Sequence, residues 1–163
     1  MVTVITFQVL HTLCCGYALI WGGKPERIAG ILLFSAAVAT VLIEAPFDRF
    51  NYRDVELATL LVDTALLAAL AALALRANRY WPLWMTALHA NAVATHLVKF
   101  ANPSLLPSVY HIAAAIMAIP MATILVIATY RHQTRMVRNG IDAPWSDFSG
   151  HWTQPPLATG PQH

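Results

Sequence analysis

Four histidines and one aspartate lie within long apolar stretches of this sequence. They are His11, Asp63, His89, His96 and His111. A neutral imidazole can bind a metal or a haem iron, and an imidazole beside a carboxylate can pass a proton along. Ionisable groups are costly in an apolar environment, so each of these side chains needs a partner on a neighbouring element. The pattern predicts a polar pocket lined by all five residues.

Composition indicates the kind of elements that position them. The chain has 163 residues, of which 58% are hydrophobic and 11% are charged. Soluble domains carry roughly 25% charged residues, so this chain could not cover a water-facing surface. We expect an all-α, polytopic membrane bundle whose surroundings are the lipid bilayer. A formal net charge of +2 is too small to indicate a nucleic-acid partner.

Apolar runs of roughly 20 residues, the length that crosses a bilayer, predict about five transmembrane helices. Glycine and proline separate these runs, as in Gly22-Gly23-Lys24-Pro25 and Asn102-Pro103. The predicted helices cover residues 2–21, 27–45, 55–76, 80–100 and 104–130, so that residues 1–130 form a transmembrane bundle. Residues 131–163 are polar and proline-rich, which predicts a cytoplasmic tail that is partly disordered or interfacial.

The basic residues predict the orientation of the bundle. Most of them fall in the first loop, the third loop and the tail, at Lys24, Arg27, Arg76, Arg79, Arg131, Arg135 and Arg138. The opposite side holds Arg49, Arg53 and Lys99. Because basic residues are enriched in cytoplasmic loops, we expect a periplasmic N-terminus and a cytoplasmic C-terminus.

This orientation gives each polar residue a depth. At a rise of ~1.5 Å per residue, His11, Asp63 and His89 lie near the midplane, whereas His96 and His111 are shallower. Depth therefore pairs His11 with His89, and His96 with His111. His89 and His96 are seven residues apart and share one helix face. The expected partner of Asp63 is His89 or His11.

Three functions fit these residues. In the first, the protein is an accessory or assembly subunit of a larger membrane complex or a homo-oligomer, and the polar side chains only bond helices together. In the second, it is a haem- or metal-binding redox subunit with His89, His96 and His111 as candidate ligands. In the third, Asp63 and the histidines conduct protons or ions. The sequence contains no nucleophile elbow, phosphate-binding glycine loop or paired-histidine zinc motif, so it does not indicate an enzyme.

One stretch of the sequence is similar to a known group of proteins. Arg79-Tyr80-Trp81-Pro82-Leu83-Trp84, followed by Thr95-His96-Leu97 and preceded by Asp63 in an Ala/Leu-rich helix, resembles small bacterial inner-membrane proteins of unassigned function. The resemblance covers residues 62–131 and implies a location in a bacterial inner membrane. Within it, Asp63 and His96 are the positions to test first, and His89 is expected to be particular to this sequence.

Overall fold

The fold is a bundle of α-helices, seen in a computed structural model that describes residues 2–44, 52–101, 107–140, 142 and 145. Side chains are described within residues 6–43, 57–98 and 117–140, and for Asp142 and Trp145. This part of the chain contains five helices and no strand. They are α1 (Val2–Trp21), α2 (Lys24–Glu44), α3 (Tyr52–Arg76), α4 (Trp81–Ala101) and α5 (Pro107–Asn139). The predictions of an all-α fold and of five helices are confirmed.

The helices form a closed ring in chain order. Each helix packs against the one that follows it, α5 returns to pack against α1, and α2 also contacts α5 across the centre. The shared core takes apolar side chains from every helix, including Cys15, Leu33, Leu70, Met85 and Leu125. Because the core lies on the axis of the ring, the inward face of each helix is the place where buried polar side chains can meet.

The last helix is longer than the sequence predicted. α5 runs to Asn139, nine residues past the predicted end at Tyr130. The apolar character stops near Tyr130, but no helix-breaking residue occurs before Gly140. Gly140 adopts φ +70° and its N–H donates to the carbonyl of Met136, which is the usual way in which glycine ends a helix. The fall in hydropathy after Tyr130 therefore marks the end of the predicted membrane span, whereas α5 itself continues to Asn139.

Among the residues that the structure describes, two helices are long and apolar enough to cross a bilayer. They are the 20-residue segments Lys24–Ile43 and Leu57–Arg76, with mean hydropathies of 1.9 and 2.1. Five crossings remain a prediction. The outer surface of the ring is nevertheless apolar all the way round, because every helix turns large apolar side chains outward. Examples with more than half of their area exposed are Leu13, Leu42, Leu61, Trp84 and Ile127, one on each helix.

Candidate functional site: a polar cluster between α3 and α4

The centre of the candidate site is the carboxylate of Asp63 on α3. Its Oδ2 lies 2.8 Å from Nε2 of His96, and its Oδ1 lies 3.9 Å from Nε2 of His89. Both histidines are buried in the face that α4 turns toward α3, and Asp63 is about one-fifth exposed. One carboxylate thus faces two imidazoles that stand two helical turns apart.

The proton on His89 can be assigned from its second contact. Nε2 of His89 is 3.0 Å from the main-chain carbonyl oxygen of Asp63. A carbonyl oxygen only accepts hydrogen bonds, so Nε2 of His89 carries a hydrogen and donates it. This bond ties α4 to the backbone of α3 as well as to its side chain.

The direction of side chains explains why His96 is the near partner of Asp63. In a helix, the Cα–Cβ bond is tilted toward the N-terminus of that helix. α3 and α4 are antiparallel neighbours joined by a short link, so Asp63 and His96 lean toward each other along the bundle axis. The sequence-based depths placed these two residues at different levels because they counted Cα positions alone. The expectation that His89 or His11 pairs with Asp63 therefore missed the shortest contact.

His11 reaches the same region from α1. It is buried, and its Nε2 lies 3.4 Å from the carbonyl oxygen of Leu33 and 3.7 Å from Sγ of Cys15. Its Nδ1 has no hydrogen-bond partner among the described residues. An unpaired buried nitrogen costs free energy, so it marks a place where a water molecule or a ligand atom would be stabilised.

A central cavity joins His11 to the cluster. It has a volume of about 190 Å³, and all five helices contribute to its wall. His11, Asp63 and His89 line it, together with Thr40 and Gln8. The cavity is large enough for several water molecules, each of which needs about 30 Å³ in the liquid.

The predicted pocket residues therefore fall into three groups. His11, Asp63 and His89 line the cavity, and His96 contacts Asp63. His111 belongs to α5, but its side chain lies outside the described part of the chain, so its predicted pairing with His96 stays a prediction.

The described geometry does not favour metal or haem ligation. Nε2 of His89 bonds the main-chain carbonyl of Asp63 and Nε2 of His96 contacts its carboxylate, which leaves one nitrogen of each ring, Nδ1, for a metal. Among the described side chains, no three His, Cys, Asp or Glu residues are placed to hold a metal ion. The cavity is also smaller than the roughly 300–1,000 Å³ typical of pockets for larger ligands.

A second charged cluster, which the sequence did not reveal, lies at the opposite end of the helices. Asp142 follows α5, and its carboxylate accepts hydrogen bonds from Arg135 at 2.8 and 3.1 Å. His132 Nδ1 is 2.6 Å from the same carboxylate, and Arg79 binds it from the α3–α4 link. Burial by itself would raise the pKa of Asp142, but the hydrogen bonds from Arg135, His132 and Arg79 outweigh it and lower the pKa to about 2.

One sequence signal could have found this cluster. His132 and Arg135 are three residues apart and share a helix face, and Gly140 can turn the chain back toward them. An acidic residue just after such a glycine is well placed to return to that face. Beside it, Trp145 forms an isolated backbone bridge with Ala77 and packs on the core.

Comparison of the chain with protein-family models, curated proteins and solved structures finds no match.

Proposed function

We propose that the chain is a multi-pass protein of a bacterial inner membrane that conducts protons across it, with Asp63, His89 and His96 as the relay between the central cavity and the outer end of the bundle. The observation that carries this proposal is the placement of one carboxylate between two imidazoles at the wall of a cavity. Groups that gain and lose protons are rare within membrane helices, where they commonly form proton relays.

Two features support the membrane location and the orientation. The apolar side chains that every helix turns outward suit contact with lipid, because soluble proteins rarely expose such large apolar surfaces. Arg79, Arg131 and Arg135 collect at one end of the bundle with the end of α5. Under the positive-inside rule this supports a cytoplasmic location for that end and, with the five crossings that we propose, a periplasmic N-terminus.

The distances distinguish a direct proton transfer from an indirect one. At 2.8 Å, Asp63 and His96 can exchange a proton directly through a hydrogen bond. At 3.9 Å, His89 and the carboxylate are too far apart for direct transfer, so that step requires rotation of the carboxylate or a bridging water molecule. The cavity has room for such a water molecule, and the imidazole of His11 on its wall is a second group that can accept the proton.

Proton flux into liposomes that contain the purified protein and a trapped pH-sensitive dye tests this proposal. The Asp63→Asn variant keeps the shape of the side chain but cannot carry the charge, so we expect flux to fall by about 100-fold or more. Thr95→Ala is the matched control. Thr95 lies one residue before His96 and donates only to its own helix, at the carbonyl of Asn91. Wild-type protein without flux, or an Asp63→Asn variant with normal flux, would contradict the proposal.

The second candidate is an accessory or assembly subunit of a larger membrane complex or homo-oligomer. It is favoured by the bond from His89 to the main chain of Asp63, which fastens α4 to α3 whether or not a proton moves. On this alternative His89→Ala removes that bond and lowers the free energy of unfolding by about 0.6–1.7 kcal/mol, while proton flux is absent in wild-type protein as well.

A further inference from the structure

A cavity at the charged end of the bundle opens between the start of α4 and the last turns of α5. Its volume is about 400 Å³. The upper part of its wall is basic and aromatic, with Arg79, Arg131, Arg135, Tyr80 and Trp81. The rest of the wall is apolar and includes Trp84, Ile124 and Ile127. The wall thus changes from charged to apolar over the depth of one cavity.

The charges on this wall do not balance. Three arginines line the cavity, and the neighbouring carboxylate of Asp142 is shared by Arg79 and Arg135. Arg131 is exposed, and no carboxylate among the described residues forms an ion pair with it. The cavity therefore keeps an excess of positive charge, which favours an anion.

Two further features of the wall suit an oxygen-rich anion. The indole Nε1 of Trp81 is buried, and no acceptor for its hydrogen exists in the described part of the chain. The N-terminus of α4 also begins at Trp81, and the partial positive charge of a helix N-terminus stabilises negative charge. A phosphate oxygen in the cavity would meet a helix end and a guanidinium group together, and a turn of the Trp81 ring toward the cavity would add its buried N–H as a donor.

We propose that this cavity binds an anionic phospholipid, with the phosphate beside Arg131 and Trp81 and an acyl chain along Ile124, Ile127 and Trp84. The inference rests on the proposed membrane location. Tyr80 is largely exposed at the rim, as aromatic residues are at the level of lipid headgroups. Basic pockets between helices on the cytoplasmic side are suited to anionic headgroups, whereas an apolar lower wall gains nothing from a free phosphate ion.

Native mass spectrometry of the detergent-purified full chain, titrated with phosphatidylglycerol or with phosphatidylcholine of the same acyl chains, tests the site. We expect phosphatidylglycerol to bind at least about tenfold more tightly. Arg131→Gln should weaken phosphatidylglycerol binding about fivefold and leave phosphatidylcholine binding unchanged. Arg131 takes no part in the Asp142 cluster, so this variant leaves that cluster intact.

Arg138→Gln is the matched control. It removes the same charge from the exposed end of α5, but Arg138 does not line the cavity. Because exposed charges away from the site are screened, binding should change by less than about twofold. Equal binding of the two lipids, or equal effects of the two arginine variants, would overturn the inference. Displacement of phosphatidylglycerol by excess inorganic phosphate would also overturn it, because a free-anion site would explain that result.

Trp81→Phe tests the donor without changing any charge. It keeps a ring against the core but removes Nε1–H, so phosphatidylglycerol binding should weaken about fivefold or more. If Trp81 is only structural, Trp81→Phe would lower the melting temperature and leave the preference for phosphatidylglycerol unchanged, which counts against the inference.

Recovery of the chain in the soluble fraction of cells would contradict the membrane location. A membrane-bound chain without lipid preference contradicts the lipid site alone.

Discussion

At the scale of single residues, the partly buried aspartates Asp63 and Asp142 face different surroundings. Asp63 meets two imidazoles, whose charge depends on protonation, and it lies beside the cavity. Asp142 meets two guanidinium groups, which are always charged, and one imidazole. The first arrangement suits gain and loss of a proton. The second holds its carboxylate ionised and suits a fixed connection between the end of α5 and the α3–α4 link.

We predict that Asp142 stabilises the fold above pH 4 and ceases to do so in acid. Its pKa falls from 3.8 in the unfolded chain to about 2, so its contribution is complete above pH 3.8 and is lost as the pH falls through 2. Asp142→Asn should lower the free energy of unfolding at pH 7 by about 1 kcal/mol, because solvent screens ion pairs near the protein surface. Thermal unfolding in detergent at a series of pH values measures this. A wild-type advantage that persists below pH 2 would contradict the assignment.

The sequence predicted part of the candidate site and missed part of it. His11, Asp63, His89 and His96 were identified because ionisable residues inside apolar runs need partners, and that reason holds in any membrane bundle. The contact between Asp63 and His96 depends on the tilt of side chains along two antiparallel helices, which residue counting does not give. Asp142 was missed because its partners depend on where the chain returns after Gly140.

At the scale of elements, the α1–α2 turn is the tightest connection in the described structure. Only Gly22 and Gly23 separate the two helices. Arg27 donates to the carbonyl oxygens of Gly22 and Ile20 at 2.9 and 3.3 Å, which satisfies two acceptors at the end of α1. A turn this short leaves no room for side chains on the glycines.

We predict that Gly22→Ala is strongly destabilising. A Cβ at this position would lie 2.3 Å from the carbonyl oxygen of Ala18 and 2.7 Å from Cβ of Glu26. Both contacts involve atoms that cannot move without moving a helix, so a loss of about 1–3 kcal/mol is expected.

Gly16→Ala is the control for that variant. Gly16 lies within α1, and a Cβ there would meet nothing within 4 Å. Replacement of a glycine inside a helix by alanine should then stabilise by about 0.5–1 kcal/mol. Thermal melting of both variants tests the pair, and equal melting temperatures would contradict the described turn.

At the scale of the whole molecule, the sequence predicted the number of helices and their order. The five membrane crossings that it also predicted remain a prediction. α2 and α3 have the length and hydropathy of spans. α4 does not, because His89, Asn91 and His96 lower its mean hydropathy, although these same residues carry the candidate site. The helix that contributes two of the four described site residues is therefore one that hydropathy does not recognise as a span.

We predict that residues 51 and 78 lie on opposite sides of the membrane. In a Cys14→Ala, Cys15→Ala background, Asn78→Cys should react with an impermeant maleimide only in inverted vesicles. Asn51→Cys should react only in right-side-out vesicles. Asn78 is suited to this because it is exposed in the α3–α4 link. Labelling of both positions from one side would contradict the five-span topology.

The carboxylate of Asp142 also affects how tightly the charged end of the molecule is held together. Arg79 and Arg135 both bind the carboxylate of Asp142, and without residue 142 they have no shared carboxylate between them. Two like charges held close together oppose the approach of α5 to α4. The docking of these helices therefore depends on residue 142 and not on α5 alone, and a chain cut after residue 140 should hold them together less tightly.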